Sequence, residues 1–278
     1  MLTAVAVLAL GLAGATPPAV ADGPDVLPPG AVLARHNAWA GRIQHLWARA
    51  DLTLNFPKDE QGTEREQHDL AGHLFLAGPD RLFVHGQVLG KDLFTVGMNA
   101  DRFWLWIRPG VNTVWTGRRG GEGEKRFILS PADLMMALGL FQIALDPDVS
   151  AEFVAQRRHY VLTERWPGGA DPRPRRRVWF DRATLRPVRV DLFDEAGGRL
   201  LMAELLRYQP LGPDGTSLCT VYRARFYGDG REMILVLRLT DVKPEKEPNP
   251  RIFEFRLPPG AKVHDLDAED LDPIDKSP

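Results

Sequence analysis

Histidine is the residue type in this 278-residue chain that most invites a chemical reading, with seven copies. His73 and His85 flank the turn Gly78-Pro79-Asp80, and in one hairpin register they face each other across two strands. Paired imidazoles can ligate a transition metal, but zinc takes at least three protein ligands. Neither a His-x-x-x-His helix nor a carboxylate cluster completes the set, so no metal is expected. Nucleophilic catalysis is no better supported. No Gly-x-Ser-x-Gly turn occurs. The single cysteine, Cys219, sits in Leu218-Cys219-Thr220-Val221-Tyr222, which reads as a strand and suits a buried, inert thiol. The Gly-rich stretch Gly117-Arg118-Arg119-Gly120-Gly121-Glu122-Gly123 lacks the Lys-Ser/Thr ending of a phosphate loop and carries a repelling glutamate. The residues describe no catalytic constellation. The chain is expected not to be an enzyme and to need no cofactor, an envelope hydrolase built on some Asp or Glu pair being the weaker alternative.

Charge narrows the partners further. A formal net charge of −2 gives no reason to expect nucleic acid. The strongest local run, Arg173-Pro174-Arg175-Arg176-Arg177, reads as a solvated loop and strand edge, with anionic headgroups as the functional alternative.

The N-terminus carries an address. Leu2 to Leu12 are apolar, and Ala19-Val20-Ala21 has the small-x-small form of a signal-peptidase site, so residues 1–21 read as a signal peptide. The run is too short to span a bilayer. No Lys or Arg precedes Arg35, which a start codon placed too far downstream would explain. Ala15 stands where a lipoprotein would have its acylated cysteine, so no lipid anchor is expected. The protein should be exported to the periplasm or cell envelope.

Periodicity then sets the elements. Leu33, Trp39, Ile43, Leu46, Trp47 and Ala50 recur at helical spacing, predicting a helix over 31–50. The period changes to two at Asp51, where Leu52, Leu54 and Phe56 alternate with polar residues. Hairpins follow: 69–77 with 81–89, 93–98 with 102–107, and 113–116. Phe103-Trp104-Leu105-Trp106-Ile107 is apolar on both faces. Ser130-Pro131-Ala132-Asp133 announces a helix over 131–141, with Ser130 as N-cap. Its side chains Leu134, Met135, Met136, Leu138, Leu140 and Phe141 are apolar nearly all round. Strands resume over 158–164, 177–181, 186–193, 200–208, 217–227 and 233–242, with a last short strand at 253–257. Residues 22–263 form one domain, and 264–278 an acidic, flexible tail.

Two segments carry a family resemblance. Val178-Trp179-Phe180-Asp181 with Leu185-Arg186-Pro187-Val188-Arg189 looks like a hairpin of the LolA/LolB-like superfamily of bacterial periplasmic lipoprotein carriers. Phe253-Glu254-Phe255-Arg256-Leu257-Pro258-Pro259-Gly260-Ala261-Lys262-Val263 looks like its closing strand. The resemblance implies a mainly β (α+β) fold: a curved, incompletely closed antiparallel half-barrel covered on its concave side by helices. It also implies a monomeric carrier that shields acyl chains of lipids or lipoproteins in outer-membrane lipoprotein sorting, with an envelope membrane protein as a further partner. A sensor resembling RseB/MucB-type proteins, which bind an anti-sigma factor, is the alternative. The expected acyl surface combines Trp39, Ile43, Leu46 and Trp47 of the first helix, Met135, Met136 and Leu140 of the second, and Trp104 and Trp106 of the sheet. These are large apolar side chains on elements expected to face each other, and methionine repacks readily. Burial of an acyl chain of about 14 carbons is worth on the order of 11 kcal/mol.

Overall fold

The structure is a computed structural model that describes residues 26–57, 64–108, 112–121, 123, 131–144, 151–167, 172–212, 215–228, 231–244 and 246–268. The expected signal peptide and the Ser130 cap lie outside them. Helix α1 (Pro29–Ala40) leads into β1 (His45–Pro57), β2 (Arg65–Ala77), β3 (Leu82–Val88), β4 (Lys91–Met98), β5 (Arg102–Ile107) and β6 (Thr113–Arg118). Helix α2 (Pro131–Ala137) precedes β7 (Ala151–Ala155), β8 (His159–Arg165), β9 (Pro174–Asp181), β10 (Pro187–Phe193), β11 (Arg199–Pro210), β12 (Ser217–Gly228) and β13 (Arg231–Lys243). A 3-10 turn (Pro250–Phe253) and β14 (Lys262–Asp265) follow.

All fourteen strands belong to one sheet, in the order β14-β6-β5-β4-β3-β2-β1-β13-β12-β11-β10-β9-β8-β7. Two antiparallel meanders, β1–β6 and β7–β13, are therefore sewn together where β1 pairs with β13. The order also explains the position of α2. After β6 the chain must travel from one end of the sheet to β7 at the far edge, and α2 lies on that crossing. It touches β4 in one arm and β10 and β11 in the other. In a flat sheet β4 and β11, six places apart, would be separated by roughly 29 Å. A seven-residue helix is only about 10 Å long. The sheet is therefore strongly curved, and it remains open because its edge strands, β14 and β7, do not pair.

Several expected boundaries need correction. The first helix stops at Ala40, not near residue 50, and the strand begins at His45. Leu46, Ala48, Ala50, Leu52 and Leu54 are one strand face; Leu46 and Trp47 matched helical spacing only by coincidence with Ile43 and Trp39. Thirteen cross-strand positions with β2 outweigh that local signal. The second helix ends at Ala137, because Gly139 adopts a positive φ of 70°. No strand forms over 253–257; Phe253 closes the 3-10 turn and residues 254–257 belong to no strand. The last strand is β14, which pairs parallel to β6 in an otherwise antiparallel sheet. It includes His264 and Asp265. Strand β7 is not among the strands expected from the sequence.

The Phe180–Val190 hairpin forms as read. Asp181 Oδ1 accepts bonds from Ala183 N, Thr184 N and Thr184 Oγ1 at 3.1, 2.8 and 2.9 Å, an Asx turn that the sequence encodes locally. Leu185 completes it with a φ of 56°.

Candidate functional site

Strand alternation sorts the apolar residues onto two faces. On the inner face, Leu52 stands opposite Leu237 and Leu54 opposite Leu235. Farther along, Val84, Val96 and Leu105 form a row across β3, β4 and β5. With Phe94, Phe226 and Met233 these residues form the floor of a cavity whose roof is Leu134 of α2 and Leu138 of the turn just after it. The roof pair is spaced i, i+4, and the Leu138 amide still bonds the Leu134 carbonyl at 2.9 Å, so both side chains lie on one side. Among the described residues no polar side chain lines the space. Its volume is about 50 Å³, far below the roughly 300–1,000 Å³ of a small-ligand site.

The chain leaving α2 is laced to α1. Asn37 donates through Nδ2 to the Ile143 carbonyl at 2.9 Å and accepts from the Ile143 amide at 2.8 Å. The imidazole of His36, wholly buried, lies with Nε2 2.9 Å from the Phe141 carbonyl, so that nitrogen carries the proton. Its ring packs on Phe141 and Phe180. Burial lowers its pKa to about 4, the Phe141 bond opposing and nearby Arg176 adding slightly to the shift. A Cβ at Gly41 would sit 2.9 Å from the Gln142 side chain, so glycine there permits the close approach.

A charged pair holds α2 from below. Arg176 points inward from β9, bonds Glu164 of β8, donates to Met136 Sδ at 2.8 Å and lies over the Phe141 ring at 5.3 Å. Both charged groups are largely shielded from water. The basic run is thus split by alternation. Arg175 and Arg177 face outward and stack on Trp166 and Phe193.

Six of the expected acyl-surface residues meet in the main core: Ile43, Leu46, Met135 and Leu140 are buried there, and Trp39 and Met136 pack against it. Trp39 also donates to the Ser217 carbonyl at 2.8 Å. Trp104 and Trp106 are not brought to them. They alternate with Phe103 and Leu105 and form a separate outer cluster with Val114, Phe83 and Phe255. Trp47 is also on the outer face, against His73 at 5.3 Å and under Lys243 at 4.6 Å. None of the nine expected residues lines the cavity. The signal for those that do was the plain Leu/Val alternation of the strands, which large tryptophans and methionines overshadowed.

The histidine register is the one that brings His73 opposite His85, with Nδ1 and Nε2 3.1 Å apart. Burial, His85 and Arg49 all lower the His73 pKa. Among the described residues no group of three His, Cys, Asp or Glu side chains gathers around a possible metal position. Cys219 is free and buried in β12, and burial pushes its thiol pKa up.

No family model matches this chain, and no curated protein matches it. Solved structures do. The LolA superfamily protein NE2245 from Nitrosomonas europaea superposes with a TM-score of 0.52 at 12% identity, covering 83% of this chain and 99% of that one. A DUF1329 family protein from Desulfovibrio piger gives 0.50 at 16% identity over 80% and 97% of the two chains. A domain described as outer membrane lipoprotein-sorting, from Vibrio parahaemolyticus, gives 0.52 at 13% identity over 80% and 94%. The fold is LolA-like.

Proposed function

We propose that this protein is an exported carrier that holds an acyl chain of a lipid or lipoprotein between its sheet and α2, and that α1 and α2 cover the concave side of the sheet. The observation that supports this most is the wholly apolar cavity roofed by Leu134 and Leu138, set in a LolA-like sheet. At about 50 Å³ it is far smaller than an acyl chain. Loading requires α2 to lift off, exchanging its own leucines for methylenes of the cargo at about 0.8 kcal/mol per buried CH₂. Uptake and release then stay near balance, as a carrier requires. The reading assigns no enzymatic step and no cofactor, and it places the protein in the periplasm as a monomer that passes cargo between membranes.

Native mass spectrometry of protein purified from its own envelope, followed by lipid extraction, tests this. The carrier reading expects acyl-bearing species released on denaturation. Retention of a membrane-anchored protein partner, with no extractable acyl chain, would replace it with the sensor reading.

A further inference from the structure

The outer face of the sheet carries a second and much larger depression. Residues 249–259 cross β2 to β5 as a strap. Near one end Phe253 is buried, its carbonyl accepts from Asn99 Nδ2 at 3.0 Å, and Arg81 covers its ring. Phe255 packs on Trp104 at 5.5 Å. Beyond the other end Asn112 donates to the Gly260 carbonyl at 2.9 Å, while Trp106 Nε1 donates to Asn112 Oδ1 at 3.1 Å. Between these two anchorages the strap stands off the sheet and leaves a groove of about 770 Å³, within the usual range for a small-molecule site.

The floor of the groove is aromatic, from Phe75, Phe83 and Trp106. Its charges are unevenly satisfied. Of its two carboxylates, Asp92 accepts from Gln87 at 2.7 Å beside His85, and Glu254 pairs with Arg256 at 3.3 Å. Arg108 and Arg251 also line it, and neither guanidinium has a carboxylate partner among the described residues. An aromatic floor with two uncommitted guanidiniums matches one ligand chemistry. We propose that this groove binds a small organic anion, its planar apolar body resting on Phe75, Phe83 and Trp106 and its carboxylate, sulfonate or phosphate held by Arg108 and Arg251. The site lies on the face opposite the acyl cavity and does not depend on it.

Fluorescence titrations with anilinonaphthalene sulfonate and with its uncharged counterpart phenylnaphthylamine test the proposal. Both arginines are exposed, so R108Q/R251Q should fold normally. It should weaken the sulfonate at least about tenfold while changing the neutral dye by less than about twofold. Thr95→Trp, which fills the groove without altering charge, should also abolish tight sulfonate binding. Unaltered sulfonate affinity in either variant, or equal weakening of both dyes by R108Q/R251Q, would overturn the assignment.

Discussion

The buried Nε2 of His36 and the carbonyl oxygen of Phe141, 2.9 Å apart, tie the first helix to the chain that leaves the second. The other ring nitrogen, Nδ1, is buried without a hydrogen-bond partner among the described residues. A proton there would create a cation with nothing to accept from it, beside the guanidinium of Arg176.

That geometry sets a pH dependence. The folded pKa of His36 is about 4 against an ordinary 6.5, so between those values the unfolded chain binds a proton that the folded chain refuses. Its contribution is full above pH 6.5 and is lost as pH falls toward 4, by roughly 3 kcal/mol in total. Urea denaturation at pH 7 and pH 4.5 should show the loss. His36→Gln, which keeps a donor for Phe141 but does not titrate, should flatten that part of the profile.

Asn37→Ala should cost about 2 kcal/mol, because it strips partners from both backbone groups of Ile143. Asn37→Asp keeps the acceptor and loses the donor, and should cost less. Urea midpoints at constant slope measure both.

How much of this could be read from the chain depends on which residues carried it. The hairpins were legible because alternation and turn chemistry are local: Asp181 caps its own turn, and the Gly78-Pro79-Asp80 hairpin admits the register that sets His73 opposite His85. The pairing of β1 with β13 was not, since nothing near Leu52 names Leu237 as its partner. Helix ends were misread where tertiary contacts decide. Leu46 fits a helix wheel as well as a strand face until β2 is laid beside it. The face taken by the tryptophans was hidden for a related reason. Phe103-Trp104-Leu105-Trp106-Ile107 is apolar on both faces, and only the strap over the outer face shows which side the tryptophans take.

Arg176→Met should destabilise the protein by about 3–5 kcal/mol, since Glu164 would be left as an unpaired carboxylate almost out of water. Adding Glu164→Gln should recover part of that loss. A double-mutant cycle on thermal or urea unfolding gives the coupling.

Gly139→Ala tests the end of α2. The residue has a φ of 70°, and a Cβ there would lie 2.6 Å from Leu205 Cδ2. A cost of about 2 kcal/mol or more is expected from the left-handed backbone and the overlap together. Unchanged unfolding would mean that the turn can be rebuilt without that conformation.

The most direct measurement of the central claim is photo-crosslinking with a diazirine-bearing palmitate, followed by peptide mapping. An acyl chain held between the sheet and α2 should label the peptides that carry Leu52–Leu54, Phe94–Val96, Leu134–Leu138 and Leu235–Leu237, the residues around the apolar cavity. Labelling confined to the outer face, at Trp104, Trp106 and Phe255, or no saturable labelling at all, would contradict it.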